Sequence, residues 1–151
     1  MKTTINETSR EECIDICNKM LRGERSAVET YNLAIDKFES EPATSQLRRI
    51  RDEHQNSVAD LESNVRNMGG DPDDSSGAWG VFAKAVQGTA NLFGEESAIE
   101  SLEQGEEKGL DDYRDAVEEG LLPECHALFT NRLIPRVESH LRTLKVLEET
   151  V

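Results

Sequence analysis

Aromatic residues are scarce in this chain: one Trp, two Tyr and four Phe make up 5% of it. Runs of β-branched and aromatic residues, the usual material of strands, are few, so Leu, Ile, Val and Ala must supply most of a core. Cations are also short. Lys and Arg number 17 against 31 Asp and Glu, a formal net charge of −14. That balance argues against nucleic acid or an anionic membrane as a partner, because both require clustered Lys and Arg. No apolar run is long enough to cross a bilayer, and the opening Met1-Lys2-Thr3-Thr4-Ile5 lacks the apolar segment of a secretory signal. Cysteine occurs three times, at Cys13, Cys17 and Cys125. An odd count speaks against a disulfide framework and for a reducing compartment, so a cytoplasmic protein is expected.

What is present suits helices. Charged residues reach 32%, and Glu, Ala, Leu and Arg are plentiful. A chain of 151 residues is long enough for one core, so residues 1–151 are read as a single domain. Ser9-Arg10-Glu11-Glu12 has the form of a capping box. From it runs a stripe at steps of three and four, Ile14, Cys17, Leu21, Glu24, Val28, Tyr31, Ile35, Phe38, which the Glu41-Pro42 pair should stop. A second helix should begin near Thr44 or Ser45 and close at Gly69-Gly70, with Leu47, Ile50, His54, Val58, Leu61, Val65 and Met68 on its stripe. A third, about 96 to 119 and ended by Gly120, carries Ile99, Leu102, Glu106, Leu110, Tyr113 and Val117. A fourth begins near Pro123 with Phe129, Leu133, Val137, His140, Leu144 and Leu147, and Pro135 inside it predicts a kink or short break.

Each stripe holds one ionisable intruder: Glu24, His54, Glu106 and His140. The two halves also match each other. Gly23-Glu24 is followed by Glu29 and Tyr31, and Gly105-Glu106 by Asp111 and Tyr113, at the same spacings. The pattern is a duplicated helical hairpin with one acid and one imidazole per copy. The first and third joints are short and the middle one is long. That predicts an all-α four-helix bundle of two antiparallel hairpins joined by a long crossover, with a short helix near Trp79, Phe82 and Val86. The apolar segment from Trp79 to Phe93 is expected to pack on the bundle or into a second copy, giving a homodimer, and not to lie on lipid.

These residues resemble the ferritin-like superfamily. The Gly-Glu and Tyr spacing is similar to that of rubrerythrin-type members, and the likeness is closest to a family of small bacterial four-helix proteins catalogued as a domain of unknown function. The resemblance covers roughly residues 9 to 149. It implies that Glu24 and Glu106 stand for the single acids of a di-iron centre, and His54 and His140 for the imidazoles of its two Glu-x-x-His motifs. The acids of those motifs are missing, because Arg51 and Val137 occupy their places. Asp52, Glu53 and Glu138 lie nearby, but a shift of one or two residues turns a helical side chain by roughly 100° or 200°, so they should point elsewhere.

Two readings of the four intruders follow. In one, Glu24, His54, Glu106 and His140 bind a single transition-metal ion, zinc, iron or manganese, with Tyr31 and Tyr113 behind them. In the other, no cofactor is held, and the buried groups satisfy one another with Arg51 as internal counter-ion. The favoured function is a non-enzymatic, stress-related binding or assembly module with a degenerate di-metal site. The alternative is a metal-dependent redox or storage protein with a reduced ligand set. Cys13, Cys17 and Cys125 should meet at one end of the bundle; a zinc cluster there is conceivable, although the spacing matches no standard zinc motif.

Overall fold

A computed structural model of the chain describes residues 2–39, 41–76 and 94–151. Its helices are α1 (Lys2–Lys37), α2 (Glu41–Asn67), α3 (Glu95–Glu119), α4 (Pro123–Leu128) and α5 (Ile134–Thr150), with a π-helical turn, Phe129–Leu133, joining the last two. No strand occurs among the described residues. The protein is an all-α bundle of four long helices, the fourth being α4, the π turn and α5 in succession. No helix among the described residues is long and apolar enough to cross a membrane.

The ends of the helices follow local chemistry. At the close of α2, Gly69 N–H donates to the Arg66 carbonyl and Gly70 N–H to the Val65 carbonyl, both at 2.9 Å. This is the Schellman pattern, with Gly69 at φ 86 where a Cβ would be strained. The Pro135 break takes the form of the π turn. Proline has no N–H and its ring crowds the carbonyl four residues back, so the turn before it widens and Ile134 N–H donates to the Phe129 carbonyl instead. The N-terminus differs from expectation. Residues 2 to 9 contain no proline or glycine, and α1 runs through Ser9 rather than starting there. Likewise α2 starts at Glu41 with Pro42 in its first turn, a place that proline favours.

Side-chain pairs fix the direction of travel. Tyr31 meets Glu106 and Tyr113 meets Glu24, so α1 and α3 are antiparallel. Arg49 meets Thr143 and Arg136 meets Asp60, so α2 and α5 are antiparallel. Arg25 to Glu62 and Arg51 to Asn32 show the same for α1 and α2. Hence α2 and α3 run in the same direction. Residues 71 to 76, which follow α2, lie beside α1. Asn18 Nδ2 donates to the Asp71 carbonyl at 3.2 Å, Arg22 pairs with Asp73 at 2.9 Å, and Ser76 Oγ donates to Glu29 at 2.5 Å. The short helix expected between Trp79 and Phe93, and the packing expected of it, lie outside the described residues.

The core is in two parts. One, around Cys17, Leu21, Leu61, Tyr113 and Phe129, fills the end where α2 closes; the other, around Tyr31, Leu47, Ile50, Leu102 and Leu144, fills the opposite end. Between them lies the polar layer. On α1 the buried face carries Ala27 and Ala34, while Val28 and Ile35 of the expected stripe are only partly buried. Alanine lets the neighbouring backbones approach closely, which leaves the larger side chains at the flank.

Candidate metal centre

Glu24, His54, Glu106 and His140 meet in the middle of the bundle, each no more than 5% exposed. Each is the intruder of its own stripe, so the periodicity that builds the core also carries the four groups inward. His54 lies between two carboxylates: Nδ1 is 2.7 Å from Glu24 Oε2, and Nε2 is 3.0 Å from Glu106 Oε2. His140 Nδ1 is 3.2 Å from that same Glu106 oxygen, and its Nε2 is 2.8 Å from Glu53 Oε1. The tyrosines cross between the halves. Tyr31 donates to Glu106 and Tyr113 to Glu24, both at 3.1 Å. One oxygen, Glu106 Oε2, is therefore approached by Tyr31, His54 and His140 together.

A carboxylate only accepts, so an imidazole with a carboxylate on each side must donate from both nitrogens, and His54 is an imidazolium. Burial works against that charge, but Glu106 and Glu24 outweigh it and hold the His54 pKa up to about 10. Burial likewise opposes the Glu106 anion, yet His54 and His140 push its carboxyl well below the usual carboxylate range. Burial, reinforced by Glu106 for Tyr31 and by Glu24 for Tyr113, raises both phenols well above their ordinary value. They remain donors at any ordinary pH.

Two expectations need correction. Arg51 is not the internal counter-ion. It donates to Asp52 at 3.0 Å and to Asn32 at 3.1 Å on the surface of the bundle. Three residues back along a helix leaves a side chain about 60° from His54, and the long guanidinium follows that offset outward. The counter-charge is His54 itself. Glu53, in contrast, does not point away. The position before His54 is about 100° round the helix, and on α2 that direction faces α5, where His140 stands. Glu53 Oε2 is 3.0 Å from Arg49, which continues to Gln46 and Thr143 at the surface.

The sequence profile of a family described as a domain of unknown function (DUF2383) matches residues 12–119. The chain belongs to that family. The match takes in Glu24, His54 and Glu106 and stops short of His140 and Cys125. No curated protein and no solved structure matches the chain.

His54, Glu106 and His140 present ligand atoms that all lie within 4.8 Å of one another, all three residues being buried. Glu24 is not in that group, because it faces the opposite nitrogen of His54. Three residues before the two imidazoles, Arg51 points out and Val137 lies in the apolar core, so neither adds a ligand to this group. One ion does fit the donor set. Two imidazoles and a carboxylate suit a divalent transition metal.

Proposed function

We propose that this DUF2383 protein is a ferritin-like binding module, not an enzyme, that takes up one divalent transition-metal ion in its mid-bundle layer. The observation that carries the reading is the arrangement on the far side of each imidazole. His54 turns one nitrogen to Glu106 and the other to Glu24; His140 turns one to Glu106 and the other to Glu53. Metal-binding histidines characteristically donate their second N–H to a carboxylate, which fixes the ring and raises its basicity. In this reading His54, Glu106 and His140 hold the ion, Glu24 and Glu53 orient the rings, and Tyr31 steadies Glu106. The near-complete burial of the three ligands supports a site shielded from bulk solvent. The apo layer is the same layer with protons in place of the ion.

The test is metal uptake with its proton count. Protein stripped with chelator and titrated with Zn²⁺, Mn²⁺ or Fe²⁺ at neutral pH should bind one equivalent and release at least one proton, because His54 must give up its Nε2 proton. Calorimetry in two buffers of different ionisation enthalpy reads that release. The His54→Ala and His140→Ala variants should each lose the ion. Absence of stoichiometric uptake by the parent would leave the layer as a purely structural polar network and sink the proposal.

A further inference from the structure

A second group of potential ligands lies away from this layer, at the end of the bundle where α2 closes and α4 begins. Cys13 and Cys17 stand one turn apart on α1, Cys125 on α4, and Met68 just past α2; all are buried, Cys17 and Cys125 completely. Cys17 Sγ and Cys125 Sγ are 3.9 Å apart, and Cys125 Sγ is 3.5 Å from Met68 Sδ. All three cysteines are free thiols. The Asn64 side-chain amide donates to both sulfurs of the close pair, at 3.3 Å to Cys17 and 3.1 Å to Cys125. Leu122 N–H donates to Cys13 at 3.3 Å.

We propose that Cys17, Cys125 and Met68, with Cys13 beside them, form a binding site for one cuprous ion. The donors are thiolate and thioether sulfur, which select soft ions. With metal–sulfur bonds of about 2.3 Å, two ligand sulfurs sit about 3.8 Å apart in tetrahedral geometry and about 4.6 Å apart when linear. The Cys17–Cys125 separation of 3.9 Å falls in that interval before any ion is added, and Met68, 3.5 Å from Cys125, would have to draw back by a few tenths of an ångström to join them. Zinc takes thiolate, imidazole and carboxylate, whereas thioether is foreign to it.

Charge points the same way. The charged groups that bear on the thiols from outside, Glu12 and Glu124, are both acids and favour a cation.

The experiment is anaerobic titration of the reduced full chain with Cu(I) against bicinchoninate or bathocuproine disulfonate. One equivalent should be withheld from the chelator, and X-ray absorption at the copper edge should show a shell of sulfur only. Cys17→Ser and Cys125→Ser should each weaken retention by more than ~100-fold, and Asn64→Ala, which removes the donor behind both thiolates, by ~10-fold. A shell of nitrogen and oxygen on the parent protein overturns the site whether or not the serine variants fold. So does retention unchanged in folded Cys17→Ser, one equivalent of Zn²⁺ displacing Cu(I), or a product two hydrogens lighter that carries a Cys17–Cys125 disulfide and no copper.

Discussion

His54 and His140 hold matching places in the two hairpins, yet their surroundings differ. His54 faces Glu24 and Glu106, both buried, whereas His140 faces buried Glu106 on one side and half-exposed Glu53 on the other. The tyrosines keep the symmetry, each crossing to the glutamate of the other half at 3.1 Å. The imidazoles break it. A symmetric His140 would bond Glu24, but Glu24 is taken by His54 at 2.7 Å. His140 turns instead to Glu53, whose counterpart before His140 is Ser139. The layer becomes a chain, Tyr113–Glu24–His54–Glu106–His140–Glu53–Arg49, dry at one end and reaching the surface at the other. The repeated spacing sets out the parts, and one unmatched acid, Glu53, decides where the layer reaches the surface.

The sharpest way to break this comparison is to delete each imidazole. His54→Leu leaves two buried carboxylates without their cation and should cost about 3–5 kcal/mol in urea unfolding of metal-free protein. His140→Leu leaves Glu53 free to turn to water and to Arg49, and should cost about 1–2 kcal/mol less. Equal losses would mean that the two half-sites are energetically alike after all.

Stability against pH separates the same charges. The His54 pKa is raised above its ordinary 6.5, so its contribution is complete below 6.5 and is lost as pH rises through about 10. The Glu106 pKa is lowered below its ordinary 4.5, so its contribution is complete above 4.5 and is lost as pH falls below that. Metal-free protein should therefore show its greatest stability between pH 4.5 and 6.5. Each step of one pH on the alkaline side removes at most about 1.4 kcal/mol, so the whole decline should be roughly 3–5 kcal/mol. It should be much flatter in His54→Leu. An alkaline limb of the same depth in that variant would remove His54 as its source.

The tyrosine pair tests the part of the symmetry that survives. Tyr31→Phe and Tyr113→Phe each delete one donor to a charged, buried carboxylate, and each should cost about 1.5–3 kcal/mol. Their costs should agree within about 0.5 kcal/mol, since burial and distance match. A large gap, read by thermal or urea unfolding, would show that the crossing is unequal.

Much of the layer is legible in the sequence because the signal is simple: an ionisable residue on an apolar stripe must be buried with a partner. That rule yields Glu24, His54, Glu106 and His140, and the repeat adds Tyr31 and Tyr113. The antiparallel hairpins and the parallel course of α2 and α3 follow from the lengths of the joints. Glu53 escapes such a reading because a single stripe treats a helix as having one neighbour, while α2 has two. Arg51 is misplaced by it because an offset of about 60° matters little for a short side chain and a great deal for a long one. The gathering of the cysteines is readable only as a shared end of the bundle. Their closeness depends on how α4 seats against α1, which spacing does not report.

The smallest effect belongs to Arg51. If its charge served the layer, Arg51→Ala would be among the most damaging substitutions in the chain. Its guanidinium instead bonds the side chain of the adjoining Asp52 and the Asn32 amide oxygen, both at the surface. Exposed pairs of this kind contribute roughly 0.2–1 kcal/mol, and screening by salt reduces them further. Arg51→Ala should shift unfolding by less than about 0.5 kcal/mol and leave the pH profile unchanged. Arg51→Glu, which restores the Glu-x-x-His spacing ahead of His54, should leave the number of bound ions where it was, because the new carboxylate would project to the same outer side. A second equivalent of metal in that variant would show that the helix can bring position 51 inward, and that the two halves are closer to a two-metal arrangement than their present contacts display.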